Sequence, residues 1–344
     1  MIPTLRWLDD GTVEMIDQTK LPYELTFLVI TTHEDMARAI KDMNIRGAPA
    51  IGVAAAMGMA LAAQQALGAG CAKREDFVAY LERVKQTIDS TRPTAVNLFW
   101  ATNRILTKVA DTPGSADEIA AAIIEEAKTM WQEDIDRNMA IGRHGAELIA
   151  DGDTVLTHCN AGSLATVQYG TALAPIRTAV EQGKHIQVIA DETRPRLQGA
   201  TLTAFELHYD GIPVRVITDG SSGLIMRLGY VNKVIVGADR IVKDAVFNKI
   251  GTFMVALAAK YHQIPFYVAA PSSTLSLGEI ASDVTIEQRD GDEVARVLGQ
   301  VSIVPEGVDV INYAFDATPM ELITGIITED GVFSPAELLE RYPI

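Results

Sequence analysis

One thiol and one carboxylate stand out in this chain of 344 residues. Cys159 lies in the run Thr157-His158-Cys159-Asn160-Ala161-Gly162, and Asp239 in Gly237-Ala238-Asp239-Arg240. Each run follows a short apolar segment of strand type, at residues 155–157 and 233–236. A small-residue loop leaving a strand lets backbone N–H groups approach an anion, and the start of a following helix favours negative charge. The same field would lower the pKa of Cys159 and make the thiol reactive. Yet a lone cysteine beside a strand is ordinarily a small buried apolar residue. Asp239 reads either as a carboxylate at a strand tip or as a helix cap. Position alone leaves both pairs of readings open.

Four other polar clusters fall in loops. Asp191-Glu192-Thr193-Arg194-Pro195-Arg196-Leu197-Gln198-Gly199 crowds two acids, two arginines and a glutamine at a strand end. That is costly unless the charges pair or meet a ligand. Asn248 and Lys249, in Asn248-Lys249-Ile250-Gly251-Thr252, are expected at a helix start, where they suit phosphate. Arg46-Gly47-Ala48-Pro49 and Thr91-Arg92-Pro93-Thr94 each set an arginine in a stiff loop. Arginine offers a fork-shaped anion clamp, although a tight helix–helix turn explains either loop equally well.

The elements that must position these groups change character near the middle of the chain. Residues 1–19 read as a β-hairpin around Asp9-Asp10-Gly11. Amphipathic or small-residue helices follow at 33–43, 50–67, 74–89, 97–110 and 115–149, the first behind the caps Thr31 and Thr32. From residue 151 short apolar runs at 155–157, 186–190, 214–218, 233–236 and 266–269 alternate with helical stretches at 165–182, 199–209, 221–228 and 252–262. Repeated β-α units of this length predict an open parallel sheet, whose ligands bind beyond the carboxyl ends of its strands. The expected domains are a mainly helical residues 1–130 with a short hairpin, and an open, doubly wound α/β domain at 131–344.

Composition narrows the function. Hydrophobic residues make up 48% and charged residues 22%, ordinary for a globular protein. The formal charge of −16 disfavours nucleic acid and anionic membranes as partners, because both need a basic face. The apolar stretch at 51–63 is interrupted by glycine and reads as packed helix rather than membrane span, and residues 1–10 lack signal-peptide character. A cytoplasmic location is expected. Two cysteines cannot build a disulfide framework, and six scattered histidines give no metal signature. The dinucleotide, nucleoside-triphosphate and serine-hydrolase glycine motifs are absent, so no cofactor is expected.

Taken together, these motifs resemble the methylthioribose-1-phosphate isomerases. They are the enzyme branch of the family that also contains the α, β and δ subunits of translation initiation factor 2B. The likeness runs through Arg46–Gly52, Arg92–Leu98, Thr157–Gly162, Asp191–Pro195, Gly237–Arg240 and Asn248–Thr252, and extends from Arg6-Trp7 to Ile327-Thr328-Glu329. The segment between Asp239 and Asn248 departs from it, being about one residue shorter and lacking a glycine common in the family.

The resemblance implies a small helical N-terminal domain, a Rossmann-like C-terminal domain, an active site between them and a homodimer. It implies Cys159 and Asp239 as the catalytic pair. Arg46, Gly47, Ala48, Arg92, Gln198, Asn248 and Lys249 would bind a sugar phosphate, mainly through its phosphate. In that chemistry the phosphate on C1 locks the sugar as a ring. Asp239 would serve as the acid, kept protonated by a dry pocket and a neighbouring anion, and Cys159 as the base at C2 or as a transition-state stabiliser. The alternatives are an isomerase of 5-deoxyribose 1-phosphate or ribose 1,5-bisphosphate, and a non-catalytic regulatory subunit related to the initiation factor. A nicotinamide dehydrogenase fits the expected fold but not the missing glycine fingerprint.

Overall fold

The apolar runs predicted as strands pair in parallel at the heart of a seven-stranded sheet. In this computed structural model, which describes residues 1–93 and 95–343, its order is Gly331–Phe333, Gly325–Thr328, Phe266–Ala269, Lys233–Val236, Thr154–Thr157, Gln187–Asp191, Val214–Ile217. All neighbours are parallel except Gly331–Phe333, which runs antiparallel at one edge. Alternate residues face opposite layers. Val155, Val188, Ile235 and Ile327 enter one buried cluster, and Leu156, Ile189, Val234 and Ile326 the other. Burial on both faces is why these strands read as continuous apolar runs instead of alternating ones.

Sheet order has a consequence for function. From Thr154–Thr157 the chain adds strands first on one side, Gln187–Asp191 and Val214–Ile217, then on the other, Lys233–Val236 onward. The direction of winding therefore reverses between Thr154–Thr157 and Lys233–Val236. Such a reversal opens a crevice at the carboxyl ends of the two strands.

The chain divides into two compact units. One comprises Met1, Arg137–Gly162 and the chain from Tyr169 onward; the other comprises Ile2–Asp136 and Ser163–Gln168. The first unit holds the large sheet and a small four-stranded one of order Leu275–Ser276, Arg240–Val242, Ala245–Lys249, Phe315–Pro319. The segment that departs from the family pattern forms a tight antiparallel hairpin in this sheet, with Arg240 opposite Phe247 and Ile241 opposite Val246.

The second unit is helical around a three-stranded antiparallel sheet of Leu5–Trp7, Val13–Ile16 and Phe27–Ile30. Helix His33–Lys41 starts where Thr32 Oγ1 accepts the Asp35 N–H. Helix Ala48–Gly68 is apolar all round and long enough to cross a membrane, but most of it is buried as the core of this unit. Its small residues admit neighbours closely: a Cβ on Gly52 would stand 3.0 Å from the Asn97 carbonyl of helix Val96–Asp111.

Two sequence expectations are corrected. The stretch 165–182 is not one helix; a 3-10 turn at Ser163–Ala165 is followed by irregular chain, and the helix proper is Ala174–Glu181. Gly170, at φ +84°, folds the chain back so tightly that a Cβ there would lie 2.4 Å from Gly162 Cα. Helical periodicity carries no record of that reversal. Second, Asn248 and Lys249 end strand Ala245–Lys249, and the helix begins only at Thr252. Strands Phe27–Ile30, Phe315–Pro319 and Gly325–Thr328 are further elements, for which the sequence carried no expectation.

Candidate active site

Cys159 and Asp239 leave the two strands that flank the winding reversal. Cys159 stands two residues beyond Thr157, and Asp239 three beyond Val236. Their loops touch: a Cβ on Gly237 would lie 2.5 Å from the Ala161 methyl. Asp239 is fixed by its own N–H, which donates to the Phe247 carbonyl at 2.9 Å.

The backbone at Cys159 is held unusually. The residue sits in the left-handed region at φ +61°, where a non-glycine residue costs on the order of 1 kcal/mol. Its N–H donates to Thr193 Oγ1 at 2.8 Å, and its carbonyl accepts from Thr203 Oγ1 at 2.7 Å. Behind the loop, Asn160 Nδ2 donates to Thr203 and Glu206, and buried Glu206 pairs with buried Arg177 at 2.6 Å. A fully partnered network of this kind is rigid. The thiol-bearing residue itself is half-buried. No regular helix follows it, so the helix-terminus argument for a reactive thiol does not apply.

The next strand end supplies Asp191, Thr193 and Gln198. Thr193 and Arg194 donate their N–H groups to Asp219, which pins the loop. The two arginines of this cluster are structural: Arg194 donates to the Pro195 and Val294 carbonyls, and Arg196 pairs with Glu293. Gln198 is buried, and its Oε1 accepts no hydrogen bond among the described residues. An orphaned acceptor of this kind is what a ligand hydroxyl can satisfy.

Lys249 is buried, donates through Nζ to the Ala314 carbonyl at 2.9 Å, and lies 4.6 Å from the centre of the Phe315 ring. Asn248 Nδ2 donates to Thr252 Oγ1. The N-terminus of helix Thr252–Tyr261 is already occupied, because Asp316 accepts the Gly251 and Phe253 N–H groups at 2.7 and 3.1 Å. Burial pushes the Asp316 carboxyl up against the pull of those two donors. Phosphate at the helix start, as the sequence suggested, would have to compete with this cap.

Two functional candidates escaped sequence reasoning. Arg289 lies 5.4 Å from the centre of the same Phe315 ring that Lys249 covers, and pairs through two nitrogens with Glu287. Burial opposes its charge, but Glu287, Glu293 and Asp239 outweigh burial and raise its pKa. No motif marks it. His158 was visible as the neighbour of Cys159 but carried no assigned role; its Nδ1 lies 2.9 Å from Asp191 Oδ2, and its Nε2 donates to the Ile250 carbonyl at 2.8 Å. His158, Asp191 and Asp219 have potential metal-ligand atoms within 4.8 Å of one another. Those atoms are already engaged with each other, with Ser222 and with backbone N–H groups, which leaves a cation poor terms.

In the helical unit, Gly47 adopts φ +93° at the start of helix Ala48–Gly68. A Cβ there would lie 2.3 Å from the Ala165 carbonyl oxygen, in the segment that continues from the Cys159 loop. That segment is tied to the unit by Thr4 Oγ1 donating to the Ser163 carbonyl and Gln18 Nε2 to the Leu164 carbonyl. Pro49 lies in the first helical turn, as the sequence suggested. The Arg92 loop precedes helix Val96–Asp111; its Thr94 lies outside the described residues.

A sheet of this winding, with a thiol and a carboxyl at its reversal, defines an α/β protein, and the Initiation factor 2 subunit family matches residues 44–335. The chain belongs to that family. Among its relatives, methylthioribose-1-phosphate isomerase of Thermosipho melanesiensis is 52% identical, over 96% of this chain and 95% of the relative. The protein of the same name from Nostoc punctiforme is 50% identical, over 96% and 94%. The crystal structure of 5-methylthioribose 1-phosphate isomerase from Pyrococcus horikoshii OT3 matches with TM-score 0.93 and 41% identity, covering 99% of this chain and 97% of that one. A structure named translation initiation factor eIF-2B, subunit delta, from A. fulgidus is also similar, with TM-score 0.88, 47% identity and 98% of each chain covered.

Proposed function

We propose that this chain is an aldose–ketose isomerase converting 5-methylthioribose 1-phosphate into 5-methylthioribulose 1-phosphate, a step of methionine salvage. The observation that supports the reading is that Cys159 and Asp239 follow the two strands flanking the winding reversal, on loops that touch. The relatives named for this reaction, alike over nearly their whole length, support the same conclusion.

The substrate's C1 phosphate prevents a free aldehyde from forming. Ring opening therefore requires a proton on the ring oxygen as the C1–O bond breaks, and Asp239 is assigned that proton. Cys159 is assigned removal of the C2 proton. Return of a proton to C1, with loss of the O2 proton, leaves the ketose, so the reaction consumes no oxidant and needs no nicotinamide. Arg46, Arg92, Asn248 and Lys249, with the backbone of Gly47 and Ala48, are proposed to hold the phosphate, and Gln198 Oε1 to accept from a sugar hydroxyl.

Ribose 1,5-bisphosphate would ask for a further cation. Arg289, the buried cation whose charge Asp239 feels, already holds Glu287 with two nitrogens. That favours a substrate with one phosphate. A regulatory subunit would have no use for both Cys159 and Asp239, which argues for the enzyme over the initiation-factor reading.

We also infer a cytoplasmic homodimer that binds neither nucleic acid nor membrane. The charge of −16 supports the last two points. Exposed Leu224, Leu228, Tyr230, Met254, Leu257 and Tyr261 lie on or next to two helices of one unit that contact each other, and large apolar side chains clustered at a surface suit a protein interface. The deciding experiment is turnover of methylthio-, deoxy- and phospho-substituted ribose 1-phosphates side by side without added cofactor. Preference for the phospho substrate, or no turnover of any, overturns the reading.

A further inference from the structure

His158 is buried to 1% exposure and Asp191 to 0%, yet neither contributes to the chemistry assigned above. They join three loops that arise far apart in the chain. His158 follows strand Thr154–Thr157, and Asp191 ends the neighbouring strand Gln187–Asp191, where Thr157 opposes Ala190. Ile250 follows Lys249 at the end of a strand in the smaller sheet. The imidazole spans the gap: Nδ1 meets Asp191 Oδ2 at 2.9 Å, and Nε2 meets the Ile250 carbonyl at 2.8 Å. Gly251 leaves room for the ring, since a Cβ there would lie 2.8 Å from His158 Cε1.

Proton counting fixes the state of this bridge. A carbonyl oxygen only accepts, so Nε2 must carry hydrogen. One further proton then lies between Nδ1 and Oδ2. Asp191 Oδ1 is occupied by the Ser222 hydroxyl at 2.6 Å, so the carboxyl cannot turn away. Burial works against a charge on the ring. The Asp191 hydrogen bond and charge, the Ile250 carbonyl and the Asp219 charge outweigh it and hold the imidazole's pKa above its ordinary range. Asp191, Asp219 and Asp316 are carboxylates whose fields reach this proton; Glu192 couples to it through Asp191 and Asp219, and Lys249 through Asp316.

We propose that His158 and Asp191 are positioning residues: Asp191 fixes the tautomer in which His158 Nε2–H grips Ile250, locking the Lys249–Gly251 turn against the loop that carries Cys159. The proposal rests on the reading in which Cys159 acts on the sugar and Lys249 binds its phosphate. Thr193 reinforces the arrangement, since its hydroxyl donates to the Asp191 carbonyl at 3.0 Å and accepts the Cys159 N–H. Without the bridge the thiol and the ammonium, anchored on separate sheets, would lose the hydrogen-bonded tie that runs from the Cys159 loop to the residue after Lys249. A misplacement of about 1 Å at a reacting centre can reduce rate about 100-fold.

The test compares Asp191→Ala with Asp191→Asn. The alanine variant leaves Nδ1 without a partner and frees the tautomer. The asparagine keeps its oxygen on Ser222 and presents N–H to Nδ1, so a neutral ring still donates to Ile250. At pH 8, Asp191→Ala should lose about 100-fold in kcat with KM for the sugar phosphate raised, while Asp191→Asn retains a third or more of kcat. As pH falls below the ordinary imidazole value of about 6.5, the ring in Asp191→Asn takes up a proton that faces the amide N–H. Its activity relative to wild type should then fall.

His158→Ala provides a second route should Asp191→Ala fail to fold. If it melts within a few degrees of wild type and keeps full kcat and KM, the proposal is overturned. Equal losses in Asp191→Asn and Asp191→Ala at every pH would overturn it too, because they would reduce the pair to packing. Cys159→Ser is assayed alongside. Activity in that variant sinks the catalytic assignment, whereas an inactive Cys159→Ser beside a fully active His158→Ala sinks only the positioning claim.

Discussion

Gly237 and Ala161 approach so closely that a Cβ on the glycine would stand 2.5 Å from the alanine methyl. The contact brings the loop of Asp239 against the loop of Cys159 and leaves no slack between them. Gly237→Ala must therefore push the two loops apart while disturbing little else. We expect kcat to fall about tenfold, with a change of only a few degrees in melting temperature, measured by steady-state kinetics beside a thermal melt.

Removing either reacting group should abolish turnover without abolishing binding. Cys159→Ser and Asp239→Asn are expected to lose at least about 1,000-fold in kcat, since each removes a proton-transfer partner. Calorimetric titration with the substrate should still give an affinity within tenfold of wild type. Near wild-type turnover in either variant would remove that residue from the mechanism. Deuterium from D2O appearing at C1 of the product would identify proton transfer, whereas its absence points to hydride or a shielded proton.

Gly47 is a backbone position that tolerates a side chain poorly. It combines φ +93° with a Cβ position 2.3 Å from a carbonyl oxygen. Gly47→Ala should destabilise the protein by more than about 2 kcal/mol. The readout is the midpoint of urea unfolding, and an unchanged midpoint contradicts the geometry.

The proton shared by His158 and Asp191 also links stability to pH. Because the folded-state pKa of His158 is raised, its contribution is fully present below the ordinary value of about 6.5 and is lost as pH rises through the raised one. Asp191→Asn lacks the ionised partner and should not share that loss. The melting-temperature gap between wild type and Asp191→Asn is thus expected to narrow on going from pH 6 to pH 9. A gap that widens would reverse the assigned direction.

The exposed apolar face offers a separate test of assembly. Exposed Met254 and Tyr261 belong to helix Thr252–Tyr261, which contacts helix Ser222–Arg227 with exposed Leu224 on it and Leu228 just after it. The double substitution Met254→Glu with Tyr261→Glu should halve the mass seen by light scattering if a second copy covers that face. An unchanged dimer would move the contact elsewhere.

Much of this was legible from sequence because helices and buried strands announce themselves over a few residues. The helix Arg74–Asp89 and the strands Lys233–Val236 and Phe266–Ala269 fall on the predicted residues. The hairpin Leu5–Trp7 with Val13–Ile16 was readable from its turn. Irregular chain was not. The return of Gly170 onto Gly162 turned an expected helix into a loop. The cap that Asp316 places on helix Thr252–Tyr261 comes from a strand more than sixty residues away.

By itself, then, the sequence determined which side chains were candidates and which short segments carried them. Apolar periodicity and turn residues act locally, and Cys159, Asp239 and Lys249 were conspicuous in their motifs. The tertiary structure decided which strand ends are neighbours. It put Cys159 and Asp239 on either side of the winding reversal, drew Asp191 and Ile250 onto His158, and set Arg289 beside Lys249 on one aromatic ring. Strand order is settled by packing and hydrogen bonding between distant segments, and a run of four or five apolar residues has no means of naming its partner.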